Sequence, residues 1–331
     1  MAIYDNIKAA CRAMALSGCV IASSVLAGCS GGHGDTPLPR KFPVPEVPSI
    51  ISSGEDAIEY LAMHYWDGYT DTSAVYPCDS TMVNGVTEED LEQAFANWTA
   101  ILRKAVPGQA ARAVSTMFDR ISGVEKKDTS STVFETVSEL AYKYFYDPNS
   151  PVRSEDLYLP FVSRMATYGG FTPEQRMRYE YDARMCSLNR TGTPAADFTF
   201  SDGQGRMHTL YSLDAEYTLL FFSNPGCEAC KYIIGRLESD PVLGSLVSSG
   251  RLAVANIYID EDLISWHEYL KEYPDGWYNG YDPSFTIRTD LLYNVRAIPS
   301  LYLLDRDKTI LLKDAPENRV FAALHEIARQ K

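Results

Sequence analysis

The sequence of 331 residues predicts a helical domain over residues 50–190 and an α/β domain over residues 191–331. Apolar residues recur at helical spacing in the first part, which predicts an all-α domain. After residues 191–194, unbroken apolar runs of strand length alternate with helical stretches, as in α/β sheets. At about 150 residues per domain, the chain is long enough for two domains, each with a core of its own.

Capping residues mark two helix starts in the helical part. Thr87 precedes three acidic residues, which suit the first turn of a helix. Thr172 is followed by a proline and then by Gln175, which completes a capping box. The apolar stripe that follows the first start consists of Leu91, Phe95, Trp98 and Leu102.

Two further apolar stripes in this part predict helices over residues 114–121 and 133–145. We expect Gly123 to end the first of them and the turn residues 147–149 to end the second. The first half of the chain therefore consists of helices joined by short loops.

The α/β part begins with a predicted hairpin, in which an Asp202-Gly203 turn joins two short strands. Residues 218–222 form an unbroken apolar run, as expected for a strand that is covered on both faces. The elements are predicted as a hairpin over residues 198–210, a strand over 218–222, a helix ending near 238, a strand over 252–259, a helix over 262–273, strands over 301–304 and 309–312, and a helix over 316–329.

Residues 1–28 predict an export signal. Lys8 and Arg12 supply its positive start, and the small apolar residues that follow are too few to span a membrane permanently. The last residues before and including Cys29 read Leu-Ala-Gly-Cys and resemble the lipobox of bacterial lipoproteins, in which the signal is cleaved before a cysteine that carries the lipid. We expect acylated Cys29 to bind the lipid bilayer, and an ordinary signal peptide cut nearby is the alternative.

Residues 29–49 predict a tether, because their glycines and prolines cannot bury apolar area. Such a segment would hold the folded part off the membrane. Ser30 after the acylated cysteine favours the outer membrane over the inner one. We therefore expect the protein in the cell envelope, lipid-anchored and facing the periplasm, with surface exposure as an open alternative.

Composition narrows the classes of ligand. The 30 basic and 44 acidic side chains give a net charge of −14, which excludes a large cationic surface for nucleic acid. We expect no cofactor. The sequence has no glycine-rich dinucleotide fingerprint, so we expect the electron donor to be another protein. Its five histidines are scattered, and no second Cys-x-x-Cys motif occurs, so we expect no metal.

Four cysteines remain in the exported protein once the signal is removed and Cys29 is acylated. An exported chain lies where disulfides persist, so an even number of thiols favours pairing. For Cys78 and Cys186 we expect a structural disulfide. Two separate buried thiols, or a redox relay to the other two cysteines, are the alternatives.

Cys227 and Cys230 form a Cys-x-x-Cys motif between a predicted buried strand and a predicted helix. The free N–H groups and the dipole at the helix start favour a thiolate on Cys227, which makes it the attacking sulfur. Cys230, one turn further, is expected to be more buried and to resolve a mixed disulfide. From these residues alone, half of a zinc site and a structural disulfide stay open as alternatives.

A second motif centres on Pro299, which precedes the strand predicted over residues 301–304. A proline suits a sharp turn before a strand, and its peptide bond can be cis where the fold holds it. Together, the stretches FFSNPGCEAC and VRAIPSLYLLD resemble the thioredoxin superfamily, in particular its exported TlpA/ResA-like and peroxiredoxin-like members. The resemblance covers residues 194–331.

The resemblance implies a thioredoxin-like fold, with a central mixed sheet flanked by helices. It also implies that Cys227 attacks a client disulfide, that Cys230 resolves the mixed disulfide, and that Pro299 with Ile298 shapes the client-binding groove. The helical part resembles the uncharacterised domain that precedes thioredoxin-like domains in some bacterial lipoproteins.

The motif departs from the family at two positions. Gly226 stands where the family often has tryptophan, so we expect a looser loop before Cys227. Phe221 stands where thioredoxin has a buried carboxylate, so proton transfer to Cys230 needs another group or water. The peroxiredoxin pattern Pro-x-x-x-Thr/Ser-x-x-Cys does not precede Cys227, which argues against peroxide reduction.

The sequence therefore predicts a membrane-anchored, extracytoplasmic thiol-disulfide oxidoreductase. Ile298 before the proline resembles the reducing members of the superfamily, so we expect reduction or isomerisation of client protein disulfides. The electrons would come from a membrane or exported protein donor. The alternative is a lipoprotein binding module for a protein or a glycan, in which the Cys-x-x-Cys motif is a structural disulfide. The aromatic residues over 266–281 suit such a surface, or they pack a long loop onto the sheet.

Overall fold

The computed structural model describes residues 38–330. Its contacts divide the chain into two compact units, Met1–Thr136 and Val137–Lys331. The second unit therefore contains the sheet together with the last helices of the predicted helical domain. The predicted boundary near residue 190, between a helical and an α/β domain, remains a prediction.

The first unit consists of helices and one short hairpin. Its elements are α1 Gly54–His64, β1 Met82–Val83, β2 Val86–Thr87, α2 Glu88–Leu102 and α3 Pro107–Lys127. Thr87 caps α2 by accepting a hydrogen bond from the Asp90 N–H, and the predicted apolar stripe of α2 is fully buried. Gly123 lies inside α3 rather than at its end, because the helix continues to Lys127.

The first described residues contact the rest of the first unit through Arg40 and Phe42. The Phe42 ring stacks on Tyr65 and Tyr69, with ring centroids 5.5 and 5.3 Å apart. The Arg40 N–H donates a hydrogen bond to the Gly85 carbonyl. Phe42 therefore contributes apolar area among the prolines of the predicted tether, and residues 38–48 contain no helix or strand. The export signal and Cys29 lie outside the described residues.

The second unit begins within a helix. Its helical elements before the sheet are α4 Val133–Ala141, a π-helical turn Tyr142–Tyr146, α5 Glu155–Met165 and α6 Pro173–Cys186. Thr172 and Gln175 form the predicted capping box at the start of α6, since each side chain bonds the backbone N–H of the other residue. The predicted helix over residues 133–145 is confirmed, with its last turn widened into the π-helical form.

A seven-stranded sheet forms the centre of the second unit. Its strands are β3 Thr199–Asp202, β4 Met207–Thr209, β5 Tyr217–Phe222, β6 Leu252–Tyr258, β7 Tyr278–Tyr281, β8 Ser300–Asp305 and β9 Ile310–Leu312, in the order β4-β3-β7-β6-β5-β8-β9. The pairs β5–β6 and β6–β7 are parallel, and the other neighbours are antiparallel. The predicted α/β fold with a central mixed sheet is thereby confirmed.

Helices and loops cover both faces of this sheet. The helices are α7 Glu228–Ser239, α8 Pro241–Ser248, α9 Leu263–Tyr269, α10 Thr286–Thr289 and α11 Glu317–Arg329. Leu219 and Phe221 of β5 join the core that contains residues of α7, α8 and α11. Leu220 and Phe222 join a second core, because successive side chains of a strand point to opposite faces. All four side chains are fully buried, which explains the unbroken apolar run.

The aromatic segment over residues 266–281 contributes β7, which the sequence pattern did not predict. Gly280 of β7 packs so tightly that a Cβ there would lie 2.4 Å from the Phe200 ring. Trp266 and Tyr273 are buried in the core with α7. The packing alternative therefore accounts for these aromatic side chains. Within residues 38–330, none of the helices has both the length and the apolar character needed to cross a bilayer.

Candidate active site

Cys227 and Cys230 lie where β5 passes into α7. Cys227 is the N-cap residue of α7, and its Sγ accepts a hydrogen bond from the Cys230 N–H at 3.1 Å. The two sulfurs form a disulfide. Cys227 is partly exposed, whereas Cys230 is only 1% exposed. Partial exposure and a helix N-terminus are the surroundings in which a cysteine thiol is most reactive.

Gly226 directly precedes the first cysteine and has a φ of +73°. This left-handed backbone is strained for any residue with a Cβ, although within residues 38–330 a Cβ at this position would have no atom within 4 Å apart from those of its two chain neighbours. The loop therefore requires glycine for its backbone and not for space. The expected loosening of the loop is corrected to a defined turn that glycine permits.

The Ile298-Pro299 peptide bond is cis and lies beside the motif. Ser300, the first residue of β8, is the register partner of Phe222, the last residue of β5. Because these residues face each other, the loop before β8 and the loop after β5 meet at one edge of the sheet. Ile298 and Cys227 both pack against the core cluster that contains Cys230. The structure thus brings together the cysteine pair and the proline motif.

The polar side chains that follow β5 at this edge of the sheet are uncharged. Phe221 is fully buried in the same cluster as Cys230. The hydroxyl of Ser223 hydrogen-bonds the side-chain oxygen of Asn256, whose Nδ2 donates to Asn279 Oδ1 at 3.0 Å. Both Ser223 and Asn256 are 1% exposed. These groups fix the chain after β5 by hydrogen bonds, and none of them is a carboxylate that exchanges a proton at neutral pH.

Two opposite charges follow Cys227 in α7. Glu228 is exposed, and its Oε1 lies 2.9 Å from Lys231 Nζ. The hydrogen bond and the charge of Glu228 raise the pKa of Lys231. The ammonium group of Lys231 therefore offsets part of the repulsion that the carboxylate exerts on a thiolate at Cys227.

A cleft of about 330 Å³ opens beside the cis proline motif. Its lining includes Tyr181 and Met185 of α6, Asp260, Arg288 and residues 293–298. Asp260 accepts a hydrogen bond at 2.5 Å from Asn224, in the loop before Cys227, and pairs with Arg288. The sequence did not indicate Asn224, Asp260 or Arg288, because these side chains follow different elements and share no spacing.

The expected disulfide between Cys78 and Cys186 is wrong, because both are free thiols. Cys78 Sγ accepts a hydrogen bond from the Asn84 N–H at 3.1 Å. Cys186, the last residue of α6, is fully buried, and burial raises the pKa of its thiol. The two thiols are therefore separate, but only Cys186 is buried, so the alternative of two separate buried thiols holds in full for Cys186 and not for Cys78.

The comparisons with known proteins cover both parts of the chain. A family model described as a domain of unknown function (DUF5106) matches residues 17–189. None of the functionally curated proteins matches the chain. A solved thioredoxin-like protein from Bacteroides caccae is 37% identical, with a TM-score of 0.73, and the similarity covers 87% of this chain and 99% of that chain. The C-terminal domain of an uncharacterized protein from Bacteroides fragilis is 45% identical over 41% of this chain and 98% of its own, with a TM-score of 0.40.

The similarity to the Bacteroides caccae protein extends over nearly the whole of that chain. It includes both the helical part and the sheet that carries the cysteine pair. The resemblance to the thioredoxin superfamily drawn from the two sequence motifs is thereby confirmed. This chain belongs to the family of thioredoxin-like proteins, and its N-terminal part belongs to the DUF5106 family.

Proposed function

We propose that this protein is a thiol-disulfide oxidoreductase that reduces or isomerises disulfides of client proteins. The observation that carries the proposal is the position of the cysteine pair. Cys227 is partly exposed at the N-terminus of α7, Cys230 is buried behind it, and the cis Ile298-Pro299 bond lies at the same edge of the sheet. This arrangement supports attack by one sulfur and resolution by the other.

The reaction begins with the reduced pair. The Cys227 thiolate attacks one sulfur of the client disulfide, the client S–S bond breaks, and the other client sulfur leaves as a thiolate that takes up a proton. Cys230 then loses its proton and attacks the Cys227 sulfur, which releases the second client thiolate. Two electrons have moved to the client, and the Cys227–Cys230 disulfide of the present structure is the product form.

A dithiol donor must reduce the pair again, and we propose a membrane or exported protein for this role. The proposed location is the cell envelope, facing the periplasm, with the acyl chain on Cys29 as anchor. Ser30 supports the outer membrane. The lipobox residues and the export signal of the sequence support this assignment, independently of the site geometry.

The test is the midpoint potential of the Cys227/Cys230 pair in thiol-disulfide buffers. Cys78 and Cys186 are replaced by serine in a parallel sample. A value near about −270 mV, as in thioredoxin, supports a reductant, and a value near about −120 mV makes the protein an oxidant. A pair that does not equilibrate while the protein is folded overturns the proposal and favours a binding module with a structural disulfide.

Replacing one cysteine of the pair is the second test of the proposed function. Cys227→Ser should abolish reduction of insulin disulfides by the pre-reduced protein, because the sulfur that remains in the motif, on Cys230, is buried and a client disulfide does not reach it. Cys78→Ser is the matched control and should reduce insulin at the wild-type rate. Equal rates for wild type and Cys227→Ser would contradict the proposed function.

A further inference from the structure

Both sides of the cis proline are fixed by one buried carboxylate. Asp314 Oδ1 accepts a hydrogen bond from the Ser300 hydroxyl at 2.8 Å, directly after Pro299. Asp314 Oδ2 accepts a hydrogen bond from Arg296 at 3.0 Å, three residues before the proline. Ser300 is fully buried, and Asp314 is 7% exposed. Because one carboxylate bonds both sides, the loop between them has little freedom to shift.

A second carboxylate holds the same loop from the helical segment. Glu155, the first residue of α5, is 1% exposed. Its Oε1 accepts a hydrogen bond from Asn294 at 2.6 Å and another from Arg296 Nε at 3.0 Å. Lys313 Nζ lies 2.8 Å from its Oε2. Glu155 therefore joins α5 to the loop that leads into the cis proline.

The cluster contains more cations than these two carboxylates neutralise. Arg153 lies 3.8 Å from Asp314, so Arg153, Arg296 and Lys313 face Glu155 and Asp314. Removing one member of a buried ionic cluster is costly, whereas well-packed apolar residues often stabilise a core at least as well. A role in fixing geometry is therefore the better physical reason for burying five charges beside this loop.

We propose that Glu155 is a positioning residue for client binding. Its hydrogen bonds to Asn294 and Arg296 fix residues 294–298, which line one side of the cleft. Helix α6 lines another side. This inference rests on the proposed thiol-disulfide exchange. It assigns to α5 and α6, which fall within the region matched by the DUF5106 model, a direct part in the active site. The bound molecule is the extended polypeptide on either side of the client cysteine.

A small disulfide reacts once it reaches the Cys227 sulfur, whereas a polypeptide client must also bind in the cleft. The test therefore compares Glu155→Gln with wild type in single-turnover reduction of insulin and of hydroxyethyl disulfide by the pre-reduced full chain. We expect the rate constant for insulin to fall about tenfold, as for loss of a charge-assisted hydrogen bond, with no change for the small disulfide. The midpoint potential of the cysteine pair should also be unchanged. Glu89→Gln, at an exposed position of α2, is the matched control and should leave both rates unchanged.

Asn294→Leu is the second variant, because it breaks the bond from the loop to Glu155 without removing a charge. It should show the same selective loss even if Glu155→Gln folds poorly. The proposal is overturned if Asn294→Leu reduces insulin at the wild-type rate, or if both disulfides lose rate equally in folded protein. Failure of the proposed function would give a different result, because wild type and Cys227→Ser would then reduce insulin at the same rate.

Discussion

Ser300 lies directly opposite Phe222 in the antiparallel pair of β5 and β8. This register joins two motifs that are far apart in the sequence, because the cysteine loop follows Phe222 and the cis proline immediately precedes Ser300. Ser300 is also bonded to Asp314, so the register and the buried cluster fix the same point of the chain. The position of the proline relative to the cysteines is thus set by the sheet and not by the loops themselves.

The turn before the first cysteine gives the first prediction. Gly226→Ala should lower the free energy of unfolding of the oxidised protein by about 1–2 kcal/mol, because alanine in a left-handed conformation is strained. The strain follows from the φ of +73° at this position. Urea unfolding, followed by circular dichroism, measures the change.

Gly235→Ala is the control for this prediction. Gly235 lies in α7 and is exposed, and among the described residues a Cβ there would meet nothing within 4 Å beyond its chain neighbours and the backbone of its own helix. Alanine there should raise the free energy of unfolding by about 0.5–1 kcal/mol, since glycine is a poor helix former. Equal effects of the two substitutions would mean that the Gly226 turn is not left-handed in solution.

The two free thiols should differ in their reaction with iodoacetamide. In the oxidised, folded protein, we expect labelling at Cys78, which is partly exposed, and protection of Cys186. Burial raises the pKa of the Cys186 thiol, so both access and thiolate formation oppose its reaction. Mass spectrometry of tryptic peptides gives the labelled fraction, and Cys186 should react fully in denaturant. A peptide that links the two cysteines through a disulfide would contradict the structure.

The hairpin of β3 and β4 contains a carboxylate whose titration should be visible in stability. Burial acts to raise the pKa of Asp202, but hydrogen bonds from Arg206, His208 and Gln204 outweigh it and lower the pKa. The carboxylate therefore stabilises the fold above its unfolded pKa of about 3.9. This stabilisation is lost as the pH falls through the lower pKa of the folded state.

Asp202→Asn should accordingly cost about 1–3 kcal/mol at neutral pH, since it weakens charge-assisted hydrogen bonds. The difference from wild type should shrink as the pH falls below about 4. Urea unfolding over this pH range tests the expectation, with Asp307→Asn at an exposed position as control. A difference that does not vary with pH would show that the Asp202 charge is not what stabilises the hairpin.

The parts of the fold that the sequence predicted have strong local signals. The run over residues 219–222 is apolar on both faces of β5, and Thr172 and Gln175 form their capping box without help from the rest of the chain. The cysteine pair and Pro299 were also recognisable, because their spacing from a strand is local. Such features depend on nearest neighbours, which the sequence displays directly.

Other features depend on distant contacts. Glu155 reads as an ordinary acidic residue in the first turn of a helix, yet its carboxylate bonds Asn294, which is 139 positions away. Strand β7 contains Asn279 and Gly280, and its strand pattern arises from pairing with β6 rather than from apolar alternation. In the first unit, by contrast, the turn between β1 and β2 is a local feature, because Asn84-Gly85 is a sequence that favours a two-residue hairpin turn and both residues have a positive φ.

The last prediction concerns the charges that follow Cys227. Lys231→Met leaves the Glu228 carboxylate unpaired, so the repulsion of a Cys227 thiolate should increase. In the reduced protein, the midpoint of the pH dependence of Cys227 alkylation should move up by about half a pH unit, because the pair is exposed and screened by water and salt. Glu228→Gln should move the same midpoint down by a similar amount.

The double variant separates charge from local structure. If the two side chains act only through their charges, the midpoint of Glu228→Gln/Lys231→Met should lie near that of wild type. In wild type the two opposite charges offset each other at Cys227, and in the double variant both charges are absent. All shifts should decrease as sodium chloride is raised, whereas a change in the loop itself would not depend on salt. Alkylation rates at several pH values, measured with Cys78 and Cys186 replaced by serine, report on the attacking sulfur. Shifts that persist at high salt would mean that Glu228 and Lys231 act by shaping the start of α7 and not by their field at Cys227.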